Sequence, residues 1–193
     1  QSTMTYSNFT RPTWRWLWNP KEKREENQLG PGRKEITGHE FVKLHNLFAG
    51  TFPWHLRMHN LNALDTHDTG RFKTFAIPGS QRVAAGLQFT FPGIPMIFAG
   101  DEFGLDGWVG ENSRTPIPWN GEREYDPSMI ESYAKLSSIR KKHRALVDGS
   151  MRWLYSSSEA LVFVRENRTE SILVIATRGK DRKIEIPRDA LSG

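Results

Sequence analysis

In the stretch Ile94-Pro95-Met96-Ile97-Phe98-Ala99-Gly100-Asp101-Glu102, an apolar run leads directly into two carboxylates. The run is bounded by glycines and contains no polar residue, which predicts a strand buried on both faces of a parallel sheet. The segment from Arg57 to Asp65 has the same design, because a predicted strand ends there in the polar cluster Asp65-Thr66-His67-Asp68. Two successive strands therefore each end in a loop of reactive side chains.

Helices are predicted on either side of these strands. Thr37 and Glu40 have the spacing of a capping box, so a helix should cover residues 38–49. A helical pattern spans Ser80 to Phe89, and Asp126-Pro127 should start a long helix. The opening segment, residues 4–18, is interpreted as a short strand, a turn and a brief helix, and residues 19–34 as a charged surface loop. Strands that alternate with helices indicate βαβ units and a parallel sheet.

The pattern changes after Gly149. Short β-runs at residues 151–154, 160–165, 171–177 and 183–186 are separated by turn residues, with a hairpin tip at 166–169. We therefore expect two domains, an α/β part over residues 1–147 and a β part over residues 148–193.

The composition narrows the class of protein. The 193 residues include no cysteine, which excludes disulfide scaffolds and cysteine-ligated metal sites. No apolar run approaches the roughly 20 residues of a membrane-spanning helix, so no membrane partner is expected. No signal peptide is visible, although Gln1 is not an initiator residue and the true N-terminus is expected upstream. The absence of cysteine favours a cytoplasmic location.

The net charge of +5 permits an acidic partner without requiring one. Nucleic-acid binding is therefore an alternative to weigh, since basic residues cluster in three places. These clusters are Lys21-Lys23-Arg24, residues 140–144, and Arg178-Lys180-Arg182-Lys183. They are scattered among acidic residues, which favours a solvated surface and no nucleic-acid partner.

The polar clusters after the two predicted strands contain the candidate functional residues. In α/β barrels the reacting groups gather at the carboxyl ends of the strands, where Asp65, His67, Asp68, Asp101 and Glu102 should lie. Helix capping and loop solvation are the alternative for any single carboxylate, because Asp is common in loops. Two such clusters on successive strands favour a functional site.

Three segments resemble the alpha-amylase family of glycoside hydrolases. The segment at residues 62–72, Asn-Ala-Leu-Asp-Thr-His-Asp-Thr-Gly-Arg-Phe, resembles the family's fourth signature, which closes the seventh barrel strand with a His-Asp pair. Residues 91–104 resemble the eighth strand with its Gly-Asp-Glu loop, and residues 110–119 the arginine-containing loop that follows. The resemblance covers residues 4–146. It implies that the chain is about three βα units from the C-terminal portion of a TIM (β/α)8 barrel, followed by an incomplete all-β sandwich-like domain.

The resemblance also implies roles for individual residues. Asp68 would be the third catalytic carboxylate of a retaining glycosidase, and His67 and Arg114 would contact the same sugar. A loop imidazole held by Asp65 is the alternative reading for His67. Asp65, Asp101 and Glu102 are interpreted as structural residues near the site. Either Trp108 or Trp119 is a candidate sugar platform, although most large aromatic residues fill the core.

Two parts of the family pattern are missing. A nucleophile and a general acid about 5 Å apart are needed, and the family carries them on earlier strands. A full barrel takes roughly 250 residues, so we expect a fragment that is inactive alone. An α-glucan is the expected partner, with no cofactor and no metal, and an open barrel edge would allow self-association. A non-catalytic carbohydrate-binding module is the other alternative.

Overall fold

The computed structural model of the chain describes residues 3–23, 35–179 and 183–191. The loop predicted at residues 19–34 lies outside the described residues from Arg24 onwards. The helices are α1 (Arg11–Trp16), α2 (Gly38–Ala49), α3 (Trp54–Arg57), α4 (Phe72–Phe75), α5 (Gln81–Thr90), α6 (Pro127–Lys142) and α7 (Arg144–Asp148). The strands are β1 (Leu61–Ala63), β2 (Ile94–Met96), β3 (Ser150–Ser156), β4 (Ala160–Glu166) and β5 (Ser171–Thr177). A π-helical turn (Tyr6–Thr10) precedes α1, and 3-10 turns cover Asp101–Phe103, Gly110–Ser113 and Arg188–Leu191.

A small parallel sheet lies at the centre of the first part of the chain. β1 pairs in parallel with β2, and Met4 forms a parallel bridge to Leu61 on the other side of β1. The side chain of Gln88, on α5, joins the two strands because its Nε2 donates to the carbonyls of Asn62 at 3.0 Å and Met96 at 2.8 Å. The carboxyl ends of β1 and β2 therefore lie at the same edge of the sheet.

Both predicted strands are shorter than expected. Of the strand predicted over residues 57–65, Leu61–Ala63 alone is a strand, because Arg57 ends the helical turn α3, where its N donates to the Pro53 carbonyl at 3.2 Å. The expectation that the run at 94–99 is buried on both faces is wrong. The exposed fractions of Ile94 and Ile97 are 43% and 39%, because among the described residues β2 pairs with β1 alone and forms the sheet edge.

The helix predictions are confirmed. Thr37 and Glu40 form the capping box at the start of α2, with Glu40 N donating to Thr37 Oγ1 at 3.2 Å. α5 begins one residue after Ser80. At the start of α6, Asp126 Oδ1 accepts from Ser128 N at 3.0 Å, and Pro127 occupies the first helical position. Local capping chemistry fixes the starts of α2 and α6, whereas the side chain of Ser80 makes no capping hydrogen bond at the start of α5.

The C-terminal part is an antiparallel sheet in the order β3-β4-β5. β4 is the central strand, and six of its seven residues are buried. The predicted hairpin tip is present, since Asn167 N donates to Glu170 O at 3.0 Å. The β-run predicted at residues 183–186 is wrong, because residues 183–187 have no strand pairing and a 3-10 turn follows them.

One hydrophobic cluster joins the two predicted domains. The ring of Phe91, which ends α5, packs edge-on against Phe41 of α2, Trp153 of β3 and Phe163 of β4, with centroid distances of 5.1–6.0 Å. The predicted boundary at 147/148 falls at the end of α7, and the division into two domains remains a prediction. Residues on both sides of it share this core.

A buried arginine also crosses the predicted boundary. Arg165, on β4, donates to the carbonyls of Thr90, Leu146, Gly149 and Ser150. Burial lowers the pKa of its guanidinium to about 9. Because its hydrogen bonds reach α5, α7 and β3, this side chain connects the C-terminal sheet to helices α5 and α7.

Candidate functional site

A tight turn after β1 presents His67 and Asp68 to solvent. Thr66 N donates to Thr69 Oγ1 at 3.0 Å, and Asp68 N donates to Thr66 Oγ1 at 3.2 Å. The side chains of His67 and Asp68 are 69% and 61% exposed, and His67 Nε2 lies 3.2 Å from Asp68 Oδ1. The turn therefore holds an imidazole and a carboxylate next to each other, both accessible to a ligand.

Arg114 reaches the same turn from a loop 47 residues away. Its Nε donates to the carbonyl oxygen of His67 at 3.0 Å, which leaves the exposed guanidinium beside the His67–Asp68 pair. The carbonyl of Ser113 accepts from Arg71 Nε at 2.9 Å, and Ser113 Oγ donates to Thr69 O at 3.0 Å. These bonds bring together His67, Asp68 and Arg114, the residues that the resemblance assigns to the sugar.

Beneath this surface lies a buried charged cluster of Asp65, Arg71 and Asp101. Arg71 Nη1 donates to Asp101 Oδ1 at 2.9 Å, and Asp65 Oδ2 accepts from Phe72 N at 2.6 Å at the start of α4. Burial raises the pKa of the Asp65 carboxyl. Burial, and then the neighbouring charge of Asp65, raises the pKa of Asp101 well above its ordinary value, against the opposing effect of Arg71.

The remaining predicted residues lie around this cluster. Asp65 does not hold the His67 ring, whose partner is Asp68. Glu102 caps its own loop, since its Oε2 accepts from Gly100 N at 2.8 Å. Trp108 is 45% exposed and lines an open groove of about 410 Å³ with Lys73, Thr74, Asp106, Gly107, Asn112 and Arg123. Trp119 is more exposed still, at 79%.

Trp108 is linked to the site through the backbone. Arg71 N donates to Gly107 O at 2.7 Å, and the carbonyl of Trp108 approaches Gly70 so closely that a Cβ at Gly70 would collide with it. The loop that carries Trp108 is therefore built against the residues that immediately follow Asp68. Trp14, Trp16 and Trp18, by contrast, are buried in the core.

Arg71 is the residue that sequence reasoning missed. Its side chain is 1% exposed and donates to Asp101, to the carbonyls of Phe98 and Ala99 after β2, and to Ser113. Its position inside the segment at 62–72 did not indicate this role, because the carboxylate of Asp101 and the carbonyl of Ser113 lie 30 and 42 residues further along the chain.

Several basic residues of the predicted clusters are engaged within the chain. Arg178 is paired with Glu35 and Glu159, at 3.2 and 3.1 Å, and Arg144 with Asp148. Arg140 donates to two carbonyl oxygens, those of Phe89 and Gly93. Arg24, Lys180 and Arg182 lie outside the described residues.

Among the residues that the structure describes, no helix combines the length and the apolar composition of a membrane span. No group of three or more His, Asp or Glu side chains in the same residues is placed to hold a metal ion.

A cyclomaltodextrinase and an alpha-amylase are similar to this chain in sequence. It is 34% identical over 125 residues to the cyclomaltodextrinase of Thermoanaerobacter pseudethanolicus, a match that covers 64% of this chain and 22% of that protein. It is 32% identical over 149 residues to alpha-amylase 2 of Dictyoglomus thermophilum, covering 70% and 25%. The chain thus spans about a quarter or less of the length of these relatives. No family model matches it.

Solved structures share the fold. The native form of the Nostoc punctiforme debranching enzyme superposes with a TM-score of 0.80 at 27% identity, covering 89% of this chain and 36% of that one. The predicted fold class, a C-terminal portion of a TIM barrel followed by a small β domain, is confirmed by such neighbours.

Proposed function

We propose that this chain, which belongs to the alpha-amylase family of glycoside hydrolases, is the part of a retaining α-glucan hydrolase that supplies the third carboxylate of the active site. Asp68 is that carboxylate, and His67 and Arg114 bind the same sugar. The observation that carries the proposal is the cluster after β1, in which Asp68 lies 3.2 Å from His67 and Arg114 donates to the His67 carbonyl.

The proposed role of Asp68 follows from the charge of the transition state. Cleavage of a glycosidic bond passes through an oxocarbenium-ion-like state, and hydrogen bonds to the sugar hydroxyls strengthen as that charge develops. An exposed carboxylate fixed by a hydrogen-bonded turn can accept such bonds, because its backbone is held by Thr66 and Thr69. His67 and Arg114 are donors beside it. Trp108, on the adjoining loop, offers a ring face for sugar stacking.

The nucleophile and the general acid are assigned to other segments of the enzyme. The family carries them on earlier barrel strands, and the chain has no Gly-x-x-Asp-x-x-Arg segment of the nucleophile type. We therefore expect no turnover of maltooligosaccharides by the purified 193 residues. Maltooligosaccharides and related α-glucans are the proposed substrates, and the names of the relatives, cyclomaltodextrinase and alpha-amylase, support this class.

Binding of a sugar to the chain tests the proposal. Maltoheptaose is titrated into the isotope-labelled chain, and the NMR signals of the His67 ring are followed; cellohexaose, with β-linkages, is the matched control ligand. We expect maltoheptaose alone to shift these signals. Asp68→Asn should weaken the response at least tenfold, since a hydrogen bond to a charged group contributes about 1.5–3 kcal/mol, whereas Asp148→Asn, on the distant end of α7, should not. Equal responses to both sugars would overturn the proposal.

Non-catalytic carbohydrate binding is a second candidate, favoured by the exposed rings of Trp108 and Trp119. A complementation experiment distinguishes the catalytic function from the binding function. A chain that acts in catalysis restores α-glucan hydrolysis when it is combined with preceding barrel strands that carry a nucleophile and an acid, and Asp68→Asn abolishes that activity. A binding module would restore none.

Self-association through the open sheet edge is also part of the proposal. Its support is the exposure of Ile94 on β2 and of Ile97 directly after it, since an uncovered strand edge invites pairing with a second chain. A cytoplasmic location, favoured by the absence of cysteine, completes the proposal, and fractionation of cells that produce the protein tests it.

A further inference from the structure

Two buried carboxyl groups meet beneath the candidate site. Asp65 and Asp101 follow β1 and β2, are 0% and 1% exposed, and lie within hydrogen-bonding reach of each other. Each has one oxygen with a donor: Asp65 Oδ2 accepts from Phe72 N, and Asp101 Oδ1 from Arg71. The other oxygens, Asp65 Oδ1 and Asp101 Oδ2, are buried and have no donor among the described residues.

The charge of this cluster does not balance if both carboxyls are ionised. Arg71 is the cation in contact with the pair, so two carboxylates would leave one negative charge uncompensated. Two carboxylates that share a buried site cannot both ionise cheaply, and a buried unpaired charge costs several kcal/mol. Tyr133 of α6 interacts electrostatically with both carboxyls and adds no positive charge.

We propose that Asp65 and Asp101 share a single proton, held between Asp65 Oδ1 and Asp101 Oδ2. The proton supplies the donor that both oxygens lack. The pair then has one negative charge, which Arg71 compensates, so the buried cluster is neutral as a whole. Burial raises the pKa of both carboxyls, and the charge of Asp65 raises the pKa of Asp101 further, in agreement with this arrangement.

The neutral cluster has a consequence for the site above it. Arg71 also donates to Ser113 O and Ala99 O, and Asp65 accepts at the start of α4. Asp65, Arg71 and Asp101 are therefore positioning residues for the loops that carry His67, Asp68 and Arg114. Only this consequence rests on the proposed function, because the shared proton is argued from the burial of the two carboxyls, their undonated oxygens and the charge balance with Arg71.

The pH dependence of folding tests the shared proton. The native chain keeps one proton that the unfolded chain releases above about pH 5, so the stability provided by the pair decreases as pH rises. In Asp65→Asn the amide donates in place of the proton, and nothing titrates. The ratio of the folding equilibrium constants, unmodified chain over Asp65→Asn, should fall tenfold per pH unit from about pH 5 to the pH at which the pair loses its proton.

Groups that titrate equally in both chains cancel in this ratio of folding equilibrium constants. Asp148→Asn is the surface control, and the ratio of the unmodified chain to this variant should not change with pH. A flat or rising ratio for Asp65→Asn would overturn the proposal. Asp101→Asn should fold equally well, whereas the double variant should lose far more stability than the two single losses together, because Arg71 then has no anion.

A spectroscopic measurement serves if the variants do not fold. The unmodified chain is labelled with carboxyl-¹³C aspartate, and its ¹³C NMR spectrum is recorded at pH 6.5. If the pair holds one proton, the chemical shift of at least one buried carboxyl carbon should differ from that of an ionised carboxylate. Two fully ionised signals would overturn the proposal. Neither measurement involves a sugar, so a failed maltoheptaose titration with a detected proton would contradict the proposed function alone.

Asp65→Asn and Asp65→Val separate positioning from packing. We expect Asn to keep the His67 ring signals and the maltoheptaose response, because its amide can accept from Phe72 N and donate to Asp101. Val has a similar size and no polar atoms, and it should shift the His67 signals and reduce the response. Equal effects of Val and Asn on the His67 signals would overturn the positioning role.

Discussion

Arg71 Nε donates a 2.9 Å hydrogen bond to the carbonyl oxygen of Ser113, 42 residues further along the chain. The same guanidinium donates to Asp101 and to two carbonyls after β2. One buried cation therefore holds in place the loops that carry the exposed residues of the candidate site, His67, Asp68 and Arg114.

Removal of this cation should destabilise the chain strongly. We expect Arg71→Met to lower the free energy of unfolding by about 3–5 kcal/mol, because a buried pair loses one partner and the remaining charge is uncompensated. Urea denaturation at pH 7 measures the loss. Arg144→Met is the matched control, since its ion pair with Asp148 is solvent-exposed and should contribute little to the free energy of unfolding. Similar losses in both variants would contradict the assignment.

His45 should make the chain less stable in acid. Burial is the main cause that lowers the pKa of its imidazole from 6.5 to about 4. Its Nδ1–H donates to the Asn8 carbonyl, and Arg57 Nη2 donates to Nε2, which fits the neutral ring. The native state therefore excludes a proton that the unfolded state binds, so stability is complete above about pH 6.5 and is lost as pH falls towards 4.

The difference corresponds to about 3 kcal/mol. Unfolding measured by urea between pH 7 and pH 4 should show this loss, and His45→Gln should remove that part of the pH dependence. His59→Gln, which replaces an exposed imidazole, should leave it in place. An unchanged pH profile in His45→Gln would show that other groups cause the acid sensitivity.

Two glycine-to-alanine variants should have opposite effects. At Gly38, the first residue of α2, a Cβ would collide with the carbonyl oxygens of Ser157 and Ala160, so we expect a loss of about 1–3 kcal/mol. At Gly86, in the interior of α5, a Cβ meets nothing within 4 Å, and alanine should stabilise by about 0.5–1 kcal/mol. Thermal unfolding of both variants measures the two shifts, and a stabilised Gly38→Ala would mean that α2 does not pack tightly on the β3–β4 turn.

Association of the chain should depend on the edge at β2. We expect Ile97→Lys, directly after β2, to reduce the mass measured by light scattering at ~0.1 mM, where exposed edges associate, because a lysine beside an edge strand opposes pairing. Leu47→Lys is the control, since Leu47 is more exposed than Ile97 but lies at the end of α2, away from the edge. Equal effects of the two substitutions would indicate non-specific association through exposed apolar surface.

Local chemistry explains which parts of the fold were predictable. The capping box at Thr37 and the Asp126-Pro127 pair determine helix starts through contacts within a few residues. The extent of the strands was not predictable in this way. Residues 57–60 read as strand, but Pro53 nucleates a helical turn, and the burial of Ile94 depends on which strands lie beside it.

The residues of the candidate site also differ in whether local sequence could predict them. The exposed pair His67–Asp68 and the loop residue Arg114 could be named from short motifs. Arg71 could not, because the reason for its burial, a carboxylate at Asp101 and a carbonyl at Ser113, lies 30 and 42 residues away. A long-range charge balance becomes visible only when the loops are placed together.

Arg165 sets a limit on how this chain can be recombined. Its acceptors are backbone carbonyls on α5, at the end of α7 and at the start of β3, and it is itself on β4. A junction at the predicted boundary would therefore separate the donor from two of its acceptors, Thr90 and Leu146. A C-terminal sheet exchanged between relatives would be compatible only where the recipient presents these carbonyls in the same places, so the segment from α5 to β4 should be inherited and engineered as a single block.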